Sequence, residues 1–215
     1  MTVITISREF GSEGEIIAQQ VAAKMGYCFA AKHTFEKILQ QYGLVRLDEL
    51  YKSAPSLWAR LDITNLELVS MLNKIILGIA RLDNVVILGR GGYAALSGYA
   101  NVLHVRIQAP ISVRVKRIME REGVDDVAKA AEIVAQNDKA RTMFVQGFYK
   151  ADFHTAGQFH LVLDTSVISV DTAVTWIVEA ARSLANHSFV DVLTTPETDV
   201  DPILADAIAK VLVPV

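Results

Sequence analysis

The stretch Ile4–Gly26, "ITISREFGSEGEIIAQQVAAKMG", decides how the rest of the chain is read. Together with the residues before it, "TVITIS" (Thr2–Ser7) is short, β-branched and almost continuously apolar, as a parallel strand buried on both faces should be. Gly11 to Gly14 make a turn. From there Ile17, Val21 and Met25 recur at helical spacing, and Gly26 is placed to end the helix. A strand, a glycine turn and a helix are how a phosphate-binding loop begins, because a helix N-terminus offers unpaired N–H groups and the positive end of its dipole. The full pattern G-x-x-x-x-G-K-[ST] also needs a lysine and a hydroxyl. This turn carries Glu13 and Glu15 instead, which suit the helix dipole by ~0.3–1 kcal/mol each and repel phosphate from the same place. On the pattern alone, the residues favour an ordinary buried strand–turn–helix. Arg8 is the one cation at hand. It either curls back over a bound phosphate or lies on the surface paired with Glu9.

Outward from this turn, strands and helices alternate. "TFEKILQQYG" reads as a helix with Gly43 near its end, and a long helical region runs from about Ser56 to Leu82. "NVVILGRGG" is a second buried strand entering a glycine turn. "NVLHVRIQAP" is a third, stopped at Pro110, followed by an amphipathic, Arg/Lys-rich helix over Ile111, Val115, Ile118 and Met119. A further helix spans about Asp126 to Gly147. "FHLVLDTS" is a fourth strand, and "DTAVTWIVEAARSLA" a helix with Asp171 as its expected N-cap. The short segment "YCFAA" reads as the edge of a strand. Such alternation predicts an α/β fold: a mainly parallel sheet covered by helices on both faces. Ser188–Val215 differs in composition, with a net charge of −4 against −3 for the whole chain. There "PETDVDP" reads as a loop and "ILADAIAKVLV" as one amphipathic helix. The stretch is expected to be an appendage, either docked on the body or a second subunit, or frayed.

The bulk properties bound the function. A chain of 215 residues, 52% hydrophobic and 21% charged, buries a sizeable core as one domain of 1–187 with that small appendage. A net charge of −3 provides no basic footprint, so no nucleic-acid partner is expected. The single cysteine, Cys28, excludes a disulfide framework within the chain. With no signal-peptide pattern and no long apolar run, the expectation is a cytoplasmic protein without a membrane partner.

Taken in order, "ITISREFGSEGEIIAQQVAAKMGY", "VVILGRGGYAAL", "HVRIQAPISVRVKRIMEREGV", "AAEIVAQNDKAR" and "FHLVLDTSVISVDTAV" resemble the cytidylate kinase-like family, over about residues 2–185. The "SREFGS-G" start, the "GRG" turn and the "R-x-x-R-I-x-E-R" helix carry most of the resemblance. It implies a three-layer P-loop kinase fold on five parallel strands, with a nucleoside triphosphate at the first strand–helix turn. It also implies a monophosphate site reaching the "GRG" turn and an arginine-bearing lid at about 121–155. Carried over by position, Gly11, Ser12, Glu13, Gly14, Glu15 and Ile16 form the phosphate loop. The lysine of true cytidylate kinases falls at about Gly14 and the hydroxyl residue at about Ile16, while looser relatives tend to have glycine at Glu13. Arg90 matches the arginine of the second glycine turn, with Gly91 where true kinases carry an acidic residue and Ala31 where an aspartate often stands. Arg114, Arg117 and Arg121 match the lid-entry helix, and Asp138 with Arg141 matches a "D-x-x-R" in the lid.

Phosphoryl transfer is mostly positioning and charge neutralisation. Arg8, Arg90 and Arg141 are therefore the expected catalytic cations, with ATP and Mg²⁺ as cofactors if the protein is active and a nucleotide or other small phosphate acceptor as partner. Arg114, Arg117 and Arg121 have a second reading, a solvated helix face paired with Glu120 and Glu122. Asp164 is read either as an organiser of metal or as a strand-end cap. His33, His104, His154, His160 and His187 match no zinc spacing, so no metal site of the protein's own is expected. Cys28 reads as a small buried hydrophobe. "GRGG" lacks the spacing of a dinucleotide fingerprint. "FVQGFYKADFH" packs the lid or stacks a base, and the Leu/Ile-rich stretch from Leu57 to Leu82 is core and a possible homodimer seam. The losses at Glu13, Glu15 and Ile16 favour a second function class, a pseudokinase acting as an interaction module.

Overall fold

The computed structural model describes residues 2–42, 63–89, 91–151 and 155–212. The expected site residue Arg90, the turn at Gly43, the start of the long helical region (56–62) and His154 lie outside the described residues. The elements are β1 (Val3–Arg8), α1 (Gly14–Met25), β2 (Cys28–Ala30), α2 (Lys32–Gln41), α3 (Ile63–Arg81), β3 (Val85–Leu88) and α4 (Gly92–Ala95). They continue with β4 (Val102–Gln108), α5 (Ile111–Glu122), α6 (Val127–Tyr149), β5 (Leu161–Asp164), α7 (Val170–Ala185) and α8 (Pro202–Val211).

The five strands form one sheet in the order β2-β3-β1-β4-β5. All neighbours are parallel, with Val3 opposite both Val85 and Val102. Parallel pairing needs helical crossovers, and these cover both faces. Residues alternate between the faces along each strand. Ile4, Ile6, Val86, Leu88, Val105 and Ile107 pack against Ile17 and Val21 of α1 and Ile177 of α7. Val3, Val85, Ile87 and Val102 face Phe35, Ile38, Leu72, Ile75 and Ile79 of α2 and α3. Among the described residues, Leu68, Leu72, Ile75, Ile76 and Ile79 of α3 are thereby buried within the chain.

Helix ends follow local chemistry. Gly26 takes a left-handed φ of 64° and stops α1, and Asp126 caps α6 by accepting from the N–H groups of Ala128 and Lys129. Asp171, the expected cap of α7, instead lies in its first turn: Ser169 is the N-cap and accepts from the Thr172 N–H. Both residues can cap, and the helix starts as early as a cap allows. Cys28 is half-buried rather than buried, on the edge strand β2, and burial pushes its thiol pKa up.

The C-terminal segment packs on the body through Val200, Leu204, Ile208 and Leu212, which join the cluster of α2 and α3. A Cβ on Gly78 would come within 2.5 Å of Ile208 Cδ1, so α8 approaches α3 closely. A buried polar knot anchors the same segment. Asn101 donates to Asp83 Oδ1 (3.1 Å) and Thr195 Oγ1 (2.8 Å), and Thr195 N–H donates to Asn101 Oδ1 (2.9 Å). Among the described residues no helix is long and apolar enough to cross a membrane.

Candidate functional site

The carboxyl ends of the parallel strands, where ligands gather in such sheets, converge on the loop between β1 and α1. This loop is held from behind by its own backbone. Ser12 is buried, and its Oγ donates to the carbonyls of Glu9 (2.9 Å) and Ile107 (3.2 Å). Thr165, just past β5, donates to Ser12 O at 3.0 Å. Gly11 has φ 80°, and a Cβ there would lie 3.0 Å from the carbonyl oxygen of Arg114, so only glycine lets the loop lie on α5. The N–H of Ile17 reaches the Glu13 carbonyl, the cap residue of α1. Helix geometry leaves the preceding N–H groups of the first turn without in-helix acceptors and turned toward the loop's mouth.

The arginines divide into two sets. Arg114 is buried and spends its donors on Ala109 O (2.8 Å), Phe10 O (3.1 Å) and the Asp138 carboxylate. Arg117 donates to Thr165 Oγ1 (2.9 Å) and Thr165 O (2.8 Å), with its Nε 3.8 Å from Glu13. These two brace the loop; neither belongs to a solvated helix face. Glu9 accepts from Arg106 Nη2 and from the Ala109 N–H, each at 3.1 Å, and lies 3.4 Å from Arg114 Nε. Burial lowers the pKa of Arg106, and the Glu9 carboxylate opposes that shift. The second set borders open space. Arg141 is buried over the Phe10 ring, 5.2 Å from its centroid, with Nη1 3.5 Å from Asp138. Arg121 also lies over the Phe10 ring, 5.4 Å from its centroid, and pairs with Glu122 on the surface, as one of its two readings had it.

Two cavities meet here. One, of about 360 Å³, is walled by Gly11–Ile16 together with Arg8, Arg121 and Arg141. The other, of about 420 Å³, lies between α2, α3, β3 and α6. Its wall is apolar at Phe35, Leu72, Ile76 and Ile87, with Lys32, Gln136 and Asn137 as polar groups. Arg8 and Arg141 belong to both. Of the expected site residues, Arg8, Gly11–Ile16, Arg121 and Arg141 thus line open space together, while Arg114 and Arg117 stand behind the loop.

The sequence reading missed Lys32 and Phe10, and it offered Glu9 only as a surface partner of Arg8, whereas the Glu9 carboxylate meets Arg106 and Arg114. Lys32 carried a usable signal, since it opens a helix directly after a strand's carboxyl end. The pairing of Glu9 with Arg106, almost a hundred residues away, had none.

The donor set does not fit a Mg²⁺ ion held by the protein itself. Ser12 is fully buried behind the loop, and Thr165 Oγ1 already accepts from the Arg117 guanidinium. Asp164 caps its own turn by accepting from the N–H and Oγ of Ser166. Ile16, where a hydroxyl is needed, is 44% exposed. Among the described residues no three His, Cys, Asp or Glu side chains cluster as metal ligands.

Comparison with known proteins agrees with this architecture. The family model described as the cytidylate kinase-like family matches residues 3–167. A cytidylate kinase from Ignicoccus hospitalis is 28% identical over 81% of this chain and 95% of its own length. An uncharacterised protein from Eubacterium ventriosum superposes with a TM-score of 0.70 at 24% identity, covering 85% of this chain and 98% of its own. A shikimate kinase from Bacteroides thetaiotaomicron shares the fold at a TM-score of 0.51 and 12% identity, over 84% of this chain and 98% of its own.

Proposed function

The chain belongs to the cytidylate kinase-like family, and on that premise we propose that it moves a phosphoryl group from ATP to a nucleoside monophosphate. One observation carries the reading: Arg8 and Arg141 stand on the wall common to the two cavities. The triphosphate lies along the first turn of α1, where N–H groups and the helix dipole meet its charge. The monophosphate occupies the neighbouring cavity, its base against Phe35 and the apolar wall and its phosphate toward Lys32, Arg8 and Arg141. An acceptor phosphate oxygen attacks the γ-phosphorus, the bond to the β–γ bridging oxygen breaks, and ADP leaves. Arginine suits this task because its fork binds phosphate oxygens in pairs. Any Mg²⁺ arrives on the nucleotide, and no step is assigned to a metal held by side chains.

Glu13 and Ile16 favour a second reading, a pseudokinase that binds nucleotide without turnover. Calorimetric titration with ATP and with CMP, each with and without Mg²⁺, followed by a search for ADP and CDP formation, separates the two. Micromolar binding that weakens in Arg141→Ala, with product formed, is the expected result. Binding without product supports the pseudokinase. No heat from folded protein at millimolar ligand overturns both.

A further inference from the structure

The pattern G-x-x-x-x-G-K fixes a spacing as well as residue types: its first glycine stands six residues before its lysine. If the lysine position is Gly14, the first glycine position is Arg8. The chain therefore has a cation where the pattern has glycine and a glycine where the pattern has the cation. The structure gives this exchange a steric basis. Arg8 is the last residue of β1 and Gly14 the first of α1, and the two face each other across the loop. A Cβ built on Gly14 would lie 2.5 Å from Arg8 Cβ and 3.0 Å from Arg8 Cγ, closer than carbon atoms approach. Only one of the two positions can carry a side chain.

We propose that Arg8 is the cation that grips the outer phosphates of the nucleotide, entering from the strand side of the loop in place of a lysine on the helix side. The assignment rests on the nucleotide-binding reading above. Arg8 borders both the cavity at the loop and the cavity beside it, which places it where a transferred phosphate passes from one to the other. A guanidinium keeps its charge at any working pH and can hold two phosphate oxygens at once. Both properties matter beside a loop that carries Glu13 and Glu15.

The test is to exchange the two residues back. Wild type, Arg8→Lys, Arg8→Gly, Gly14→Lys and the double variant Arg8→Gly/Gly14→Lys are compared by melting temperature without ligand and by calorimetric ATP affinity. Gly14→Lys alone is expected to melt well below wild type or to fail to fold. The double variant is expected to melt close to Arg8→Gly, because removing the Arg8 side chain opens the space. Arg8→Gly should bind ATP about tenfold or more weakly, as loss of a charge-assisted contact does. Arg8→Lys should lose only a few-fold, and the double variant should regain most of the affinity. ATP affinity of Arg8→Gly equal to wild type overturns the assignment while leaving the nucleotide site standing, as does a double variant that folds and binds no better than Arg8→Gly. A wild type that binds no nucleotide overturns the parent reading and this one together.

Discussion

Glu13 shows what a single residue costs at this site. It enters α1 with φ 65° and ψ 7°, a left-handed conformation, and its side chain caps nothing. A residue other than glycine costs roughly 1–2 kcal/mol in that region. Its ion pair with Arg117, at 3.8 Å and partly exposed, returns little of that. Glu13→Gly should therefore stabilise the protein by about 1 kcal/mol and raise ATP affinity several-fold by removing a negative charge from the mouth of the loop. Denaturant unfolding and calorimetry check the two effects separately, and a destabilised Glu13→Gly would mean that the Arg117 contact outweighs the strain.

Among the elements, α8 is the informative one. Ile208 is fully buried against α3. Truncating such a side chain costs about 2–5 kcal/mol, so Ile208→Ala should lower the unfolding free energy by that amount. ATP affinity should hold at temperatures where the variant stays folded, because α8 touches neither cavity. A melt in which Ile208→Ala matches wild type would show that the segment contributes nothing to the fold. The existence and type of the long elements were legible in the sequence, because β-branched runs such as Val85–Leu88 and the spacing of Ile17 and Val21 are local signals. The cap of α7 was misplaced by two residues because Ser169 and Asp171 are both competent caps. On α5 the apolar face of Val115 and Ile118 was legible, but not which arginines are buried with it. An arginine-rich helix looks solvated until the loop at Glu9–Glu13 and Asp138 of α6 bring acceptors to it, and those lie far away in sequence. For the candidate site, the sequence singled out the loop and Arg141, and both line the cavities; which arginines border open space was decided by packing.

On the scale of the whole molecule, the centre of the sheet carries polar groups on the face turned toward α3. Thr5, Ser7, His104 and Arg106 are all buried there. His104 Nδ1 lies 2.7 Å from Thr5 Oγ1, and its ring stacks on His160 at 5.2 Å. Burial first, and the neighbouring His160 second, lower the His104 pKa to about 4. In the unfolded chain the ring takes its proton near pH 6.5. Between these values the unfolded state binds more protons than the native one, so stability falls as the pH drops from about 6.5 to about 4 and levels off below. The loss over that window is on the order of 3 kcal/mol. Urea unfolding at stepped pH should show this slope, and His104→Gln should flatten it; an unchanged slope would assign the acid sensitivity to other groups.

The helix α6 is fastened at two points to two different turns. Asp138 accepts from the N–H of Phe10 in the loop after β1. Eleven residues on, the ring of Tyr149 lies where a Cβ on Gly91 would be, and its hydroxyl donates to Asn73. At a rise of 1.5 Å per residue the helix is a strut of about 16 Å between the two fastenings, a fixed gauge for the gap where the two cavities meet. A gauge of this kind has a phase as well as a length. Adding or deleting one residue between Asp138 and Tyr149 would turn the ring by about 100° away from Gly91. Arg141 would then be carried off the wall the cavities share, or Tyr149 off its seat, since one rigid rod cannot satisfy both. The stretch can thus change its side chains far more freely than its length.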